Sequence, residues 1–171
     1  MSAGTAFPEP TQPAASRADV LLRYLDYFRE QVVAKVAALP GDEARRSRLP
    51  SGWTPLELAR HLAWVELRWL EWGFEGRTVD DPWGDHRDDR WYVAPGETVQ
   101  EVLAALLAQG ERSRVVVLAN DFGASGAPGE RWAGAAPPSL ERIALHLVQE
   151  YARHLGHLDI VAELAGGPLG E

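Results

Sequence analysis

The sequence predicts an all-α domain built as a four-helix bundle. Four segments repeat apolar residues at helical spacing, each begins at a residue suited to cap a helix, and no strand pattern competes with them. Four helices of roughly 20 to 28 residues are typical of a bundle. A chain of 171 residues, 46% of them hydrophobic, is long enough to bury the core of such a bundle.

The first two helices have recognisable boundaries. The first is expected over Arg17–Ala38, where Ser16 can cap its start. The second is expected to begin after Thr54, because Thr54 and Glu57 form a capping box around a proline that suits the first helical position. Its apolar pattern predicts that it stays helical until the glycines at residues 73–76.

The third and fourth helices are bounded in the same way. The third is expected to begin after Thr98, with Glu101 as its capping-box partner, and to end near Asn120. The fourth is expected to begin at Ser139, behind two prolines, and to end near Leu164 before a pair of glycines.

Two long connections separate these helices, at residues 77–96 and 121–138. Loops of that length in a compact domain are usually functional. The first is rich in aspartate, but its spacing does not match a calcium loop, and we interpret its aspartates as a solvated stretch. Trp83 and Trp91 flank this acidic stretch and suit a lid.

The bulk composition narrows the function classes. We expect one domain over residues 16–166, a flexible tail at 1–15 and a short C-terminal tail at 167–171. A net charge of -8 argues against nucleic-acid or anionic-membrane partners. The sequence has neither a signal peptide nor an apolar segment long enough to span a bilayer, and we therefore expect the protein in the cytoplasm. The absence of cysteine excludes disulfides and thiolate ligands. The single lysine, Lys35, fits the codon bias of a GC-rich bacterial genome.

The fourth helix carries a polar group on its apolar face. At about 100° per residue, four side chains fall within an arc of roughly 80° that also contains Ile143 and Val161. These four are His146, Glu150, His154 and His157. Burying so many titratable groups without compensation is costly, and a divalent cation is the simplest compensation.

Three residues form the first candidate ligand set. Glu150 and His154, at i and i+4, project from successive turns, and His61 from the second helix would complete two imidazoles and one carboxylate. Such a set suits zinc, nickel or ferrous iron and leaves a coordination position open. The alternative stays open at this point, because helical histidines are more often hydrogen-bonded or surface residues, and a Glu–His pair at this spacing is common as a simple side-chain contact.

Three short stretches resemble the DinB-like superfamily of four-helix-bundle metalloproteins. They are residues 51–55 (SGWTP), 61–66 (HLAWVE) and 150–159 (EYARHLGHLD). The likeness covers residues 19–164 and is strongest to the actinobacterial branch near mycothiol-dependent maleylpyruvate isomerases. It implies the up-down-down-up, DinB/YfiT-like helix order and a metal held by His61, Glu150 and His154.

The resemblance also assigns roles to neighbouring residues. His157 stands where many relatives have glutamine, which makes it a candidate substrate-facing acid or base, and a rival ligand set of His61, His154 and His157 uses the i, i+3 spacing. His146 is expected to orient Glu150 by a hydrogen bond.

The implied activity is that of a metal-dependent transferase or isomerase. Its co-substrate would be a low-molecular-weight thiol resembling mycothiol, which attacks an electrophilic acceptor, and Arg68 and Arg153 would bind carboxylates or hydroxyls of that thiol. Zinc is the expected metal, with nickel and iron as alternatives, and a homodimer is compatible with the family. Two rival hypotheses are a non-catalytic metal-binding stress-response or small-ligand-binding bundle, and a purely structural helical core.

Overall fold

A computed structural model describes residues 6–40 and 42–167. Four α-helices make up about half of this part of the chain and there is little strand, as an all-α bundle requires, whereas the up-down-down-up order stays a prediction. The helices are α1 (Arg17–Ala38), α2 (Pro55–Glu66), α3 (Val99–Ala119) and α4 (Leu140–Leu164). None of the helices in the described ranges is long and apolar enough to cross a lipid bilayer.

Side-chain caps start each helix where the sequence predicts. Ser16 caps α1 and Ser139 caps α4, each accepting a hydrogen bond from the backbone N–H three residues later. Thr54 and Thr98 form complete capping boxes at α2 and α3. The four predicted helix starts are therefore confirmed.

The end of α2 differs from the prediction. From Leu67 to Phe74 the helix widens into a π-helical segment instead of continuing as an α-helix to residues 73–76. A side chain at Gly73 would meet the Trp132 ring and the Arg68 carbonyl, so the wide turn depends on glycine at this position. Wide turns of this kind are frequent at functional sites.

The core lies between the four helices, with α1 packed chiefly on α4 and α2 packed chiefly on α3. The largest fully buried apolar side chains come from α1, α2, the π-helical segment, α3 and α4: Leu25, Leu56, Leu58, Leu62, Leu70, Leu106, Leu140, Ile143, Leu147 and Leu158. This packing fixes the relative positions of α2 and α4.

Both long loops are folded against the bundle. Residues 77–96 contain a short antiparallel hairpin, β1 (His86–Arg87) and β2 (Arg90–Trp91), which the sequence interpretation missed. Asp88 and Asp89 form its tight turn with φ of 49° and 59°, a left-handed conformation that aspartate tolerates. Loop 121–138 is bonded to the π-helical segment, where the Ala127 N–H donates to the Phe74 carbonyl at 2.7 Å.

The predicted tails are partly outside the described residues. Residues 1–5 of the N-terminal tail and 168–171 of the C-terminal tail are in that group. Within the described remainder, Phe7 lies on α1, with its ring edge-on to Tyr24 and Tyr27 at centroid distances of 5.9 and 5.2 Å.

Candidate metal centre

His61 lies on α2 and its ring is held from two directions. Its Nδ1 is 3.0 Å from the Asp85 Oδ2, and its ring stacks on Trp91 with centroids 4.3 Å apart. Because Nδ1–H donates to Asp85, Nε2 is the nitrogen left for a ligand. Burial lowers the pKa of His61, and Asp85 opposes this only in part, so the imidazole is neutral at pH 7.

Asp85 corrects the interpretation of the acidic loop as solvated. Its side chain is completely buried. Oδ1 accepts hydrogen bonds from Arg68 at 2.6 Å and from His86 at 2.9 Å, while Oδ2 accepts from Arg68 at 3.1 Å. Burial alone would raise the pKa of Asp85, but hydrogen bonds from His61 and Arg68 hold it well below its ordinary value. Asp85 is therefore a permanent carboxylate that orients His61.

Glu150 and His154 meet on one side of α4. Glu150 Oε2 is 3.2 Å from His154 Nε2, and Glu150 Oε1 is 3.5 Å from His146 Nε2. The hydrogen bond from His154 is the largest cause of the lowered pKa of Glu150. The other ring nitrogen of His154, Nδ1, is buried and has no hydrogen-bond partner among residues 6–40 and 42–167.

His61, Glu150 and His154, which we call the donor cluster, come together as a potential metal site. One ligand atom from each lies within 4.8 Å of the others, and the two imidazole rings are 5.2 Å apart between centroids. Two imidazole nitrogens and one carboxylate oxygen are donors of the kind that a divalent ion such as zinc takes from proteins. The residues therefore fit a divalent metal ion.

A second group with similar spacing consists of His61, Asp85 and His86. Both oxygens of Asp85 already accept hydrogen bonds from the Arg68 guanidinium, whose positive charge opposes a cation at the same place. Within residues 6–40 and 42–167, Glu150 contacts histidines and no arginine or lysine, so the donor cluster is the better metal site of the two.

The remaining predicted residues lie around the donor cluster. His157 is exposed, with its ring 5.8 Å from that of His154 and 6.4 Å from that of Trp53, and burial together with the charge of His154 lowers its pKa. It belongs to neither group with metal-binding geometry in the described chain. Arg153 is exposed on the same helix.

Arg68 is placed differently from Arg153. It is 3% exposed, and its guanidinium lies 4.4 Å from the centre of the Trp83 ring while it bonds to Asp85. The predicted contact of Arg68 with a thiol stays a prediction. In this structure the side chain positions Asp85.

Comparison with known families adds one finding. A family model described as Mycothiol-S-transferase matches residues 20–167. The chain belongs to the mycothiol-S-transferase family. This match confirms the resemblance to a DinB-like family tied to mycothiol.

For a member of the mycothiol-S-transferase family, a thiol is the implied partner. A search of curated proteins finds no match that would narrow the acceptor. The family match covers most of the chain, and its description names the thiol. The donor cluster is the group of residues in this chain that could hold a metal ion.

Proposed function

We propose that this protein is a divalent-metal-dependent S-transferase that uses mycothiol, or a thiol of the same class, to attack an electrophilic acceptor. The observation that carries the proposal is the convergence of His61, Glu150 and His154 in a chain of the mycothiol-S-transferase family. Zinc is the metal we propose, because three protein ligands of this type leave its fourth tetrahedral position for a substrate.

The three donors act as a set that is already prepared for a cation. His61 presents a neutral imidazole, since burial lowers its pKa, and the hydrogen bond from its Nδ1 to Asp85 leaves Nε2 for the cation. Glu150 is a carboxylate at neutral pH and is held by His146 on one oxygen. A bound divalent cation lowers the pKa of a thiol that coordinates it, which supplies thiolate at neutral pH.

The proposed transfer needs one proton acceptor. His157 is exposed beside His154 and its lowered pKa keeps it neutral, so it accepts the proton of the incoming thiol. The thiolate sulfur then forms a bond to the electrophilic carbon of the acceptor. The bond from that carbon to its leaving group breaks, the leaving group keeps the electron pair, and the proton passes from His157 to solvent.

Arg153 is the residue we propose for binding the polar part of the thiol. Its side chain is exposed on the same stretch of α4 as His157, so it can bond to hydroxyls or carboxylates without breaking a buried ion pair. We place the protein in the cytoplasm, where low-molecular-weight thiols are kept reduced. The homodimer stays a prediction.

The test is a transfer assay with the zinc-loaded protein, mycothiol and 1-chloro-2,4-dinitrobenzene, followed by absorbance of the thioether. We expect product with mycothiol and a loss of at least about 100-fold in His154→Ala, since each residue that a metal needs is essential to its chemistry. Cysteine as the thiol controls for specificity.

Two results would contradict the proposal. Equal rates for the wild type and His154→Ala would show that the donor cluster is not used. Tight binding of metal and mycothiol without any product, across a panel of chlorinated and epoxide acceptors, would favour the non-catalytic ligand-binding hypothesis instead.

A further inference from the structure

We propose that a second cleft, beside the donor cluster, binds the acceptor, and that this acceptor is a flat hydrophobic molecule with an anionic group. We call it the acceptor cleft; it lies between the π-helical segment, loop 121–138 and the first turns of α4. The inference rests on the proposed function, because it assigns the second substrate of the same reaction.

The acceptor cleft has the size and lining of a small-molecule site. Its volume is about 470 Å³, within the range of roughly 300 to 1,000 Å³ that is usual for ligand pockets. Its walls are mainly apolar and include Trp69, Trp132, Pro137 and Ile143. Such walls bind a hydrophobic molecule by removing its apolar surface from water.

Two tryptophan rings give the acceptor cleft its flat surfaces. Trp69 and Trp132 lie 5.9 Å apart between centroids, and the Arg131 guanidinium lies 4.7 Å and 5.4 Å from the centres of these two rings. The indole N–H of Trp132 donates to the Ala127 carbonyl at 3.1 Å. The rings are therefore fixed in place before a ligand arrives, and flat aromatic ligands are the class that stacks on them best.

The π-helical segment and loop 121–138 are shaped to bring Trp132 close. A Cβ built on Gly73 would lie 2.9 Å from the Trp132 Cζ2, so a larger residue would displace the ring. Ala133, directly after Trp132, has a left-handed backbone with φ of 48°, which non-glycine residues adopt at a cost. This close approach places the indole at the wall of the cleft.

His146 connects the acceptor cleft to the donor cluster. Its ring lines the cleft and lies 4.4 Å from the Trp69 ring between centroids, while its Nε2 is 3.5 Å from the Glu150 Oε1. One helical turn, about 5.4 Å, separates His146 from Glu150 along α4. A molecule resting against His146 is therefore about one helical turn from Glu150, the carboxylate of the donor cluster.

The thiol and the acceptor would approach from opposite ends of the donor stretch. His157, with Trp53 near it, lies beyond His154 at the C-terminal side, whereas His146 lies before Glu150 at the N-terminal side. His157 follows His146 by eleven positions, which is about 16 Å of helix. That separation leaves room for both substrates at once.

Arg142 gives the acceptor cleft its preference for an anion. It lines the cleft and is exposed, and its side chain has no hydrogen bond or ion pair with any residue in the described ranges. An unpaired guanidinium at the rim of an apolar cleft favours a carboxylate or a similar group on the ligand.

Calorimetric titration of two probes tests the inference. The probes are 2-naphthoate and its neutral analogue 2-naphthalenemethanol, added to the wild type, Trp132→Ala and Arg142→Gln. We expect Trp132→Ala to weaken both probes about tenfold, and Arg142→Gln to weaken 2-naphthoate about tenfold while 2-naphthalenemethanol changes less than twofold.

Matched controls separate the acceptor cleft from the rest of the surface. Phe7 is an exposed aromatic side chain, at 42%, that packs on α1, and Arg46 is an exposed arginine far along the sequence from the cleft. Phe7→Ala and Arg46→Gln should bind both probes as the wild type does, and circular dichroism checks that every variant is folded.

The outcomes distinguish this inference from the proposed function. No probe binding to the wild type, or wild-type binding by both Trp132→Ala and Arg142→Gln, would overturn the acceptor cleft even if transfer activity is present. If the probes bind with the expected pattern but the protein retains no zinc, the acceptor cleft is supported as a ligand site. The same result contradicts the proposed metal-dependent transfer.

Discussion

Two polar clusters join α2 to α4, and they are built in different ways. In the first, which we call the core cluster, the Glu66 Oε1 accepts hydrogen bonds from Arg29 at 3.0 and 2.8 Å and from the Tyr151 hydroxyl. All three side chains are buried, and the second oxygen of Glu66 has no hydrogen-bond partner in the part of the chain that the structure describes. Burial alone would lower the pKa of Arg29, but the charge of Glu66 raises it, so the two groups stay a charged pair.

The donor cluster adjoins the core cluster, since its Glu150 directly precedes Tyr151 on α4. Its charges are not balanced in the same way. Its two imidazoles and one carboxylate face each other, and a nitrogen of His154 is left without a partner in the described part of the chain. A carboxylate that is paired with a buried guanidinium fixes how helices pack, whereas donors without an arginine or lysine beside them are available to a cation. The core cluster thus sets the spacing of α2 and α4 that the donor cluster uses.

The largest expected effect comes from breaking the core cluster. Glu66→Ala leaves the charge of Arg29 buried, and loss of one partner from a buried ion pair costs about 3 to 5 kcal/mol in the free energy of unfolding. Urea unfolding of the metal-free protein measures this. Glu141→Ala, which removes the exposed ion pair with Arg17, is the control and should cost less than about 1 kcal/mol. Similar losses of unfolding free energy in Glu66→Ala and Glu141→Ala would show that the core cluster stabilises the fold no more than an exposed ion pair does.

The next effect comes from filling the donor cluster. Zinc at 100 times its dissociation constant should raise the free energy of unfolding of the wild type by about 2.7 kcal/mol. His154→Ala should show no such gain, because it removes a proposed ligand. Thermal unfolding with and without zinc measures both. A gain of equal size in His154→Ala would place the bound zinc elsewhere.

A smaller effect is expected from the carboxylate behind His61. Asp85→Asn removes the charge that holds the His61 ring, and changes of this kind lower metal affinity by about 10- to 100-fold. Asp89→Asn is the matched control, since Asp89 is exposed and asparagine suits its left-handed turn. Zinc titration against a chelating dye compares the variants. Unchanged affinity in Asp85→Asn would mean that Asp85 does not support the metal.

The smallest expected effect is on the pH dependence of the stability of the metal-free protein. The pKa of His61 is lowered on folding, so as the pH falls below about 6.5 the unfolded chain takes up a proton that the folded protein refuses. Between pH 7.5 and 5.5 this lowers the stability of the metal-free protein by at most about 1.4 kcal/mol. His61→Gln should lose less stability than the wild type over the same range. An equal or greater loss in the variant would contradict the neutral state of His61.

The helices were predictable because their signals are local. A serine or threonine followed three residues later by glutamate, as at Thr54 and Thr98, is stabilised by bonds within one turn, so the starts could be read directly. The contact between Glu150 and His154 was also predictable from local sequence, because residues at i and i+4 of one helix lie side by side. The approach of His61 was one of the alternatives that the residues left open, and the family resemblance implied it directly.

The parts that were missed depend on contacts between distant residues. The π-helical segment is matched to Trp132 in a loop that follows α3, and nothing in the residues 67–74 themselves indicates that contact. Asp85 looks like its acidic neighbours in sequence, and only the Arg68 guanidinium and the imidazoles around it make it a buried carboxylate. The adjacent aspartates 88 and 89 were the available signal for the hairpin, because two-residue turns favour such pairs.

Elemental analysis of the protein purified without a histidine tag tests the central claim most directly, with His154→Ala and His86→Ala measured beside the wild type. Our account predicts about one equivalent of zinc in the wild type and in His86→Ala, and almost none in His154→Ala. Metal lost in His86→Ala but kept in His154→Ala, or a folded wild type that refuses added zinc, would contradict it.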